Sequence, residues 1–140
     1  LKDVMQLKSQ AMDLISVLGK IAAAASFLIG GLGILSIMIL IVSERRMEIG
    51  VRRAVGSRKR DIVFQFLMES AFISVSGGMI GVAAGVAVSI AIAAILQYPT
   101  RISAAGLALS FFLSIASGVL AGLYPSMRAT KIHPVDVLRS

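Results

Sequence analysis

The chain has no cysteine and a single histidine, His133. Without cysteine there is no disulfide framework and no thiolate chemistry. His133 stands alone in a polar tail, and a metal site needs several convergent ligands. One histidine in such a tail also assembles no convincing Ser–His–Asp set. A GxxxxGKS/T phosphate loop is absent as well: Gly56-Ser57-Arg58-Lys59 is basic but lacks that spacing. No catalytic, cofactor or metal site is therefore assigned to these residues, and they are not expected to be an enzyme. Acidic residues are also scarce, seven against fourteen Lys and Arg, which gives a net charge of +7. The first twenty residues do not read as a signal peptide, because Lys2, Asp3, Lys8 and Asp13 interrupt any apolar core. The expectation is that these residues belong to a longer protein.

What the chain has in excess is apolar sequence. It is 57% hydrophobic over 140 residues, and its mean hydropathy of +0.91 places it in the membrane class. Its basic residues adjoin the apolar runs, so anionic lipid headgroups or an acidic partner surface explain them better than nucleic acid does. Ile21 to Val42 holds no charge across 22 residues, a reach of roughly 33 Å as helix, enough to cross the hydrocarbon core. Further uncharged runs go from Ser70 to Gln97 and from Ile102 to Met127. No ionisable residue lies deep in any of the three, which argues against an ion-coupled carrier. Glu69 comes nearest and reads best as an interfacial carboxylate paired with a loop arginine.

The basic residues set an orientation. Seven lie in the loop after the first run (Arg45, Arg46, Arg52, Arg53, Arg58, Lys59, Arg60), and Arg128, Lys131 and Arg139 follow the last. Lys2, Lys8, Lys20 and Arg101 fall on the other side. This asymmetry predicts a cytoplasmic loop and tail with the N-terminus outside. Tyr98-Pro99 and Tyr124-Pro125 are expected at opposite interfaces. Val4, Leu7, Ala11, Leu14, Leu18, Ile21, Ala25 and Leu28 recur at alternating spacings of three and four. They form one seam of a helix expected over about residues 3–43, whose first third stands outside the bilayer as a stalk. A connector frayed in solution is the alternative. Ile62 to Leu96 is too long for a simple span, at roughly 52 Å. Gly77-Gly78 is a candidate kink, Ser57 a candidate N-cap, and Asp61 suits the first turn.

Within the loop, Met47, Val51, Ala54 and Val55 share one helical face, and Gly56 can end that helix in the left-handed conformation. An ordinary positive-inside loop is the plainer reading. The apolar face and the glycine stop favour a helix that docks on a partner. Gly77, Gly81 and Gly85 repeat every four residues, and Gly118 and Gly122 form a second pair. Such ridges let helix backbones approach closely. Packing within one subunit is the expected use, ahead of a pore lining or a dimer seam.

The run from Glu44 to Gly85, ERRMEIGVRRAVGSRKRDIVFQFLMESAFISVSGGMIGVAAG, resembles the permease domain of FtsX-like ABC transporters, most closely the MacB-type (macrolide exporter) branch. The tail GLYPSMRATKIHPVDVLRS, residues 122–140, resembles the same family's helix end, Arg-Ala turn and Pro-Val-x-x-Leu-Arg close. The likeness runs over about residues 27–139. It implies that the loop helix is the coupling helix that docks on an ATPase subunit or fused nucleotide-binding domain. Glu48, Ile49, Val51, Arg52, Arg53, Ala54, Val55 and Gly56 become the expected contacts. It further implies ATP and Mg bound by that partner, a second permease copy forming a dimer, and an extracytoplasmic adaptor. Permeases of this branch have four spans, with a large outer domain between the first and second; this chain matches the second to fourth.

The resulting expectation is an all-α integral membrane protein with three transmembrane helices. It comprises an outer stalk (1–20), a span (21–43), a cytoplasmic loop with its coupling helix (44–61), a long span (62–96), an outer loop (97–103), a third span (104–126) and a cytoplasmic tail (127–140). Its expected role, in a bacterial inner membrane, is to couple ATP-driven motion to extracytoplasmic export of an amphipathic drug, peptide or lipoprotein. A glycine-ridge passive channel and a signalling scaffold that activates outer enzymes are the alternatives. Conductance without ATP would mark the first, and the partner recovered on the outer side the second.

Overall fold

The structure is a computed structural model that describes residues 1–97, 99, 101–131, 133, 135, 136 and 139. Its main elements are four helices: α1 (Lys2–Glu44), α2 (Arg46–Ala54), α3 (Lys59–Leu96) and α4 (Ala104–Ala129). No strand occurs among the described residues. Three of the four, α1, α3 and α4, are long and apolar enough to cross a membrane. Their apolar surface is mostly open: none of the most apolar stretch of α3 is buried within the chain, and only 11% of that in α1. In water such exposure would be untenable, and in hydrocarbon it costs nothing.

The seam from Val4 to Leu28 lies on one unbroken helix. At 43 residues, α1 reaches about 64 Å, twice the hydrocarbon thickness. All of its first twenty residues are exposed, so the seam is uncovered by any described residue. In α3 the helix runs through Gly77-Gly78 without a break in its assignment. Arg58, rather than Ser57, takes its N-cap position, with no side-chain cap bond. Ser57 is one residue too early, because its own N–H closes the preceding helix on the Arg52 carbonyl at 3.0 Å. Ser103 caps α4 by accepting from the Gly106 N–H at 3.2 Å. That helix passes through Pro125, which is buried, and ends at Ala129. Tyr98, one half of the expected interface pair, lies outside the described residues, while Tyr124 is exposed on α4.

Packing places α4 between α1 and α3, which barely touch each other. Small residues make the α3–α4 contact. A methyl group built at Gly118 would overlap the Ser74 side chain and stand 3.3 Å from Ile34 Cδ1 of α1. One built at Gly122 would overlap Ser70, and one at Gly78 would lie 3.2 Å from Phe111 and Ser114. Both serines turn their hydroxyls onto their own helix, Ser70 to the Leu67 carbonyl at 3.0 Å and Ser74 to the Ser70 carbonyl at 2.9 Å. The contact surface is thereby polar-satisfied and smooth, which is what close approach of two helices in lipid requires. Gly77, Gly81 and Gly85 do not share in it. No described residue comes within 4 Å of a methyl at any of the three, whereas Gly78, one residue along, faces α4.

Candidate functional site

The loop between α1 and α3 is ordered around one short helix. Arg45 leaves the helical region at φ −89°, ψ 13°, which ends α1 while still donating its N–H to the Ile41 carbonyl at 3.0 Å. The new helix α2 starts at once. Glu48 lies in its first turn and Arg52 and Arg53 in its last, an order that suits the helix dipole at both ends. Glu48 and Arg52 pair at 2.8 Å with about half of each side chain exposed, so the pair contributes only about 0.3–0.5 kcal/mol.

The end of α2 is closed by Gly56 at φ +107°. Its N–H bonds the Arg53 carbonyl at 3.2 Å and the Ser57 N–H bonds the Arg52 carbonyl at 3.0 Å. These are the two bonds of a Schellman motif, which needs a left-handed residue where glycine stands. Gly56→Ala is expected to destabilise this turn by about 1 kcal/mol. Hydrogen exchange is the check: amides of residues 55–57 should exchange several-fold faster, with those of α4 unchanged.

Three attachments hold α2 against the bundle. Ile49 is buried in the central cluster with Met38 and Val42 of α1, Ile62 and Phe66 of α3, and Ala129 of α4. Arg52 donates to Gln65 Oε1 of α3 at 3.0 Å. Arg53 donates to the carbonyl of Thr130, just past α4. The helix thus touches all three long helices at the level where each enters or leaves the loop side.

Of the residues singled out as partner contacts, the structure separates two sets. Glu48, Val51, Ala54, Val55 and Gly56 are exposed, as is Met47, and Val55 keeps 84% of its surface. Ile49 has only 4% exposed. Its side chain is a fastening to the chain's own core and is not presented outward. Arg52 and Arg53 are engaged with α3 and with Thr130. Glu69 is half-buried on α3 and lines a shallow apolar hollow with Met68, Phe72 and Val75. Among the described residues the loop arginine Arg52 forms its ion pair with Glu48 and not with Glu69. No group of three His, Asp or Glu side chains among the described residues is placed to hold a metal ion.

A second concavity of about 870 Å³ opens beside α2. It lies between the end of α1, the start of α2 and the end of α4, and Arg46, Met47 and Arg128 are among the residues that line it. Sequence reading had no signal for it, because its walls come from segments about eighty positions apart.

Comparison with known proteins bears on what such a surface serves. The profile of the family described as FtsX-like permease C-terminal matches residues 20–134. The chain is 43% identical over 137 residues to the macrolide export ATP-binding/permease protein MacB of Bdellovibrio bacteriovorus, which covers 98% of this chain and 21% of that protein. Against MacB of Rhodopirellula baltica the identity is 35%, again over 98% of this chain and 20% of the relative. Against the pyoverdine export ATP-binding/permease protein PvdT of Pseudomonas fluorescens it is 37%, with 98% and 21% covered. The chain therefore spans about a fifth of the length of these curated relatives.

Proposed function

This chain belongs to the FtsX-like permease C-terminal family, and from that premise we propose that it is the transmembrane part of an ABC exporter in which α2 is the coupling helix. The observation that carries the reading is the two-sided build of α2. One side is fastened by Ile49, Arg52 and Arg53 to all three long helices, and the other presents Met47, Val51 and Val55 to the surroundings. A short helix so arranged passes a push on its outer face directly to the bundle. A solvated linker would need no such fastening.

In this reading the loop and tail face the cytoplasm of a bacterial inner membrane, where an ABC ATPase subunit or fused nucleotide-binding domain docks on Met47, Glu48, Val51, Ala54, Val55 and Gly56. Mg–ATP is held by that partner. Closure of two such ATPase units, under two permease copies, moves α1 as a lever, and its outer third carries the motion toward an extracytoplasmic adaptor. The proposed cargo is an amphipathic drug, peptide or lipoprotein; the relatives named for macrolide and pyoverdine export support an export role.

The test is co-purification of the detergent-solubilised chain with candidate ABC ATPase subunits. Val51→Ser/Val55→Ser removes two exposed apolar side chains and leaves Ile49, Arg52 and Arg53 as they are. About a tenfold or greater loss of affinity is expected if they dock in an apolar pocket. Unchanged affinity for an ATPase that the parent chain binds would remove α2 from the interface.

A further inference from the structure

We propose that the cleft beside α2 is a binding site for one phospholipid headgroup that carries both a phosphate and a primary ammonium, as phosphatidylethanolamine does, in the leaflet facing the loop. The proposal rests on the chain's spanning a membrane, and the cleft shares Met47 with the proposed ATPase contact.

Three features of the cleft select this ligand. Its basic side chains are Arg46, Arg128 and Lys131, contributed by the start of α2, the last turn of α4 and the turn after it. Unlike Arg52 and Arg53, none of the three makes a side-chain hydrogen bond or ion pair among the described residues. Three basic side chains lining one cleft are donors suited to a phosphate diester. Acidic side chains share the lining, Glu44 at the end of α1 and Asp136 in the tail, with His133 beside them. A purely anionic headgroup would meet these carboxylates unfavourably, whereas an ammonium group donates to them. Finally, Ile39, Val42 and Pro125 supply apolar lining from the ends of the two spans α1 and α4. That wall suits the start of an acyl chain and offers nothing to a soluble phosphate compound. The mixed charge and the apolar wall together favour a zwitterionic lipid over an anionic one and over free phosphate.

The experiment is native mass spectrometry of the full chain released from nanodiscs made with equal parts of phosphatidylethanolamine, phosphatidylglycerol and phosphatidylcholine. Retained phosphatidylethanolamine should exceed its bulk share by about fivefold relative to phosphatidylcholine, whose quaternary ammonium cannot donate to the carboxylates. Arg46→Gln/Arg128→Gln should abolish the enrichment, and Arg58→Gln/Arg60→Gln, which removes the same charge outside the cleft, should leave it intact. Glu44→Gln/Asp136→Asn should switch the preference to phosphatidylglycerol, an outcome that unfolding would not produce. Bulk lipid ratios on the parent chain, equal loss in both arginine pairs, or a parent preference for phosphatidylglycerol would each overturn the proposal. Release of the bound lipid by millimolar glycerophosphoethanolamine as readily as by competing lipid would also overturn it, by removing the role of the apolar wall.

Discussion

Gly118→Leu is expected to break the α3–α4 contact and to leave the chain largely unable to hold its three-helix arrangement. A single methyl at this position already overlaps the Ser74 side chain, and Ile34 of α1 closes the other side at 3.3 Å. Ser74 is buried with its hydroxyl on the Ser70 carbonyl, so it cannot move aside without losing that bond. Overpacking of this kind costs about 1–3 kcal/mol for a methylene or two, and more when both neighbours are fixed. Lipid offers no compensating hydrophobic drive between helices, so close packing is what holds them together. Gly118→Ala should lower the thermal midpoint in detergent, read by near-ultraviolet circular dichroism or protease resistance, and Gly118→Leu should lower it further. Ser74→Gly should restore much of the Gly118→Ala loss, because it removes the clashing atoms. Gly81→Ala is the control: with open space around it, it should be neutral or slightly stabilising through helix propensity. Equal losses at positions 81 and 118 would mean that the tight contact is not what holds α3 to α4.

The contrast between these two glycines shows what the sequence could and could not disclose. Small-xxx-small spacing marks a helix face that can be approached closely, and it marked Gly77, Gly81 and Gly85 as clearly as Gly118 and Gly122. It does not say what approaches. In the folded chain α3 turns Gly78, Ser74 and Ser70 toward α4, a row offset from the glycine stripe. The sequence hides this because serine serves as a small residue only after its hydroxyl has bonded its own helix. The continuous α1, by contrast, was legible throughout, since a seam at spacings of three and four with no proline can be satisfied only by one uninterrupted helix. Gly56 was legible for a similar reason: a left-handed turn has few alternatives to glycine.

The loop helix holds a subtler case. Met47, Val51, Ala54 and Val55 fall within an arc of about 100° on α2, while Ile49 lies roughly opposite, by the 100° step of a helix. The offset is computable from spacing alone. Ile49 nevertheless stood with the outward contacts, because the resemblance carried it over as one member of a motif. A motif preserves the order of residues along a chain, and it does not distinguish those that face a partner from those that fasten the helix to its own fold.

That distinction yields a separation of effects. Ile49→Ala/Arg53→Gln removes the buried anchor and weakens the bond to the Thr130 carbonyl while leaving Met47, Val51 and Val55 as they are. Truncating a buried isoleucine costs about 2–4 kcal/mol, and losing a charged hydrogen bond about 1.5–3 kcal/mol. With the outer face intact, the ATPase should still be captured and should still turn over ATP. With the fastening loosened, its motion should no longer reach α1, and transport in proteoliposomes containing the complete exporter should fall by about tenfold or more. Val51→Ser/Val55→Ser should do the reverse at the first step, losing the ATPase itself. Arg52→Glu/Arg53→Glu cannot tell the two apart, because it reverses charge at residues already bonded inside the chain. The decisive comparison is capture against transport in the two variants. If Ile49→Ala/Arg53→Gln loses capture as fully as the outer-face variant, α2 does not act as a fastened lever and its two faces serve one purpose. If capture persists while transport collapses, the helix transmits force through Ile49 and Arg53, and the rigidity of that fastening sets how much of each ATPase closure reaches the stalk.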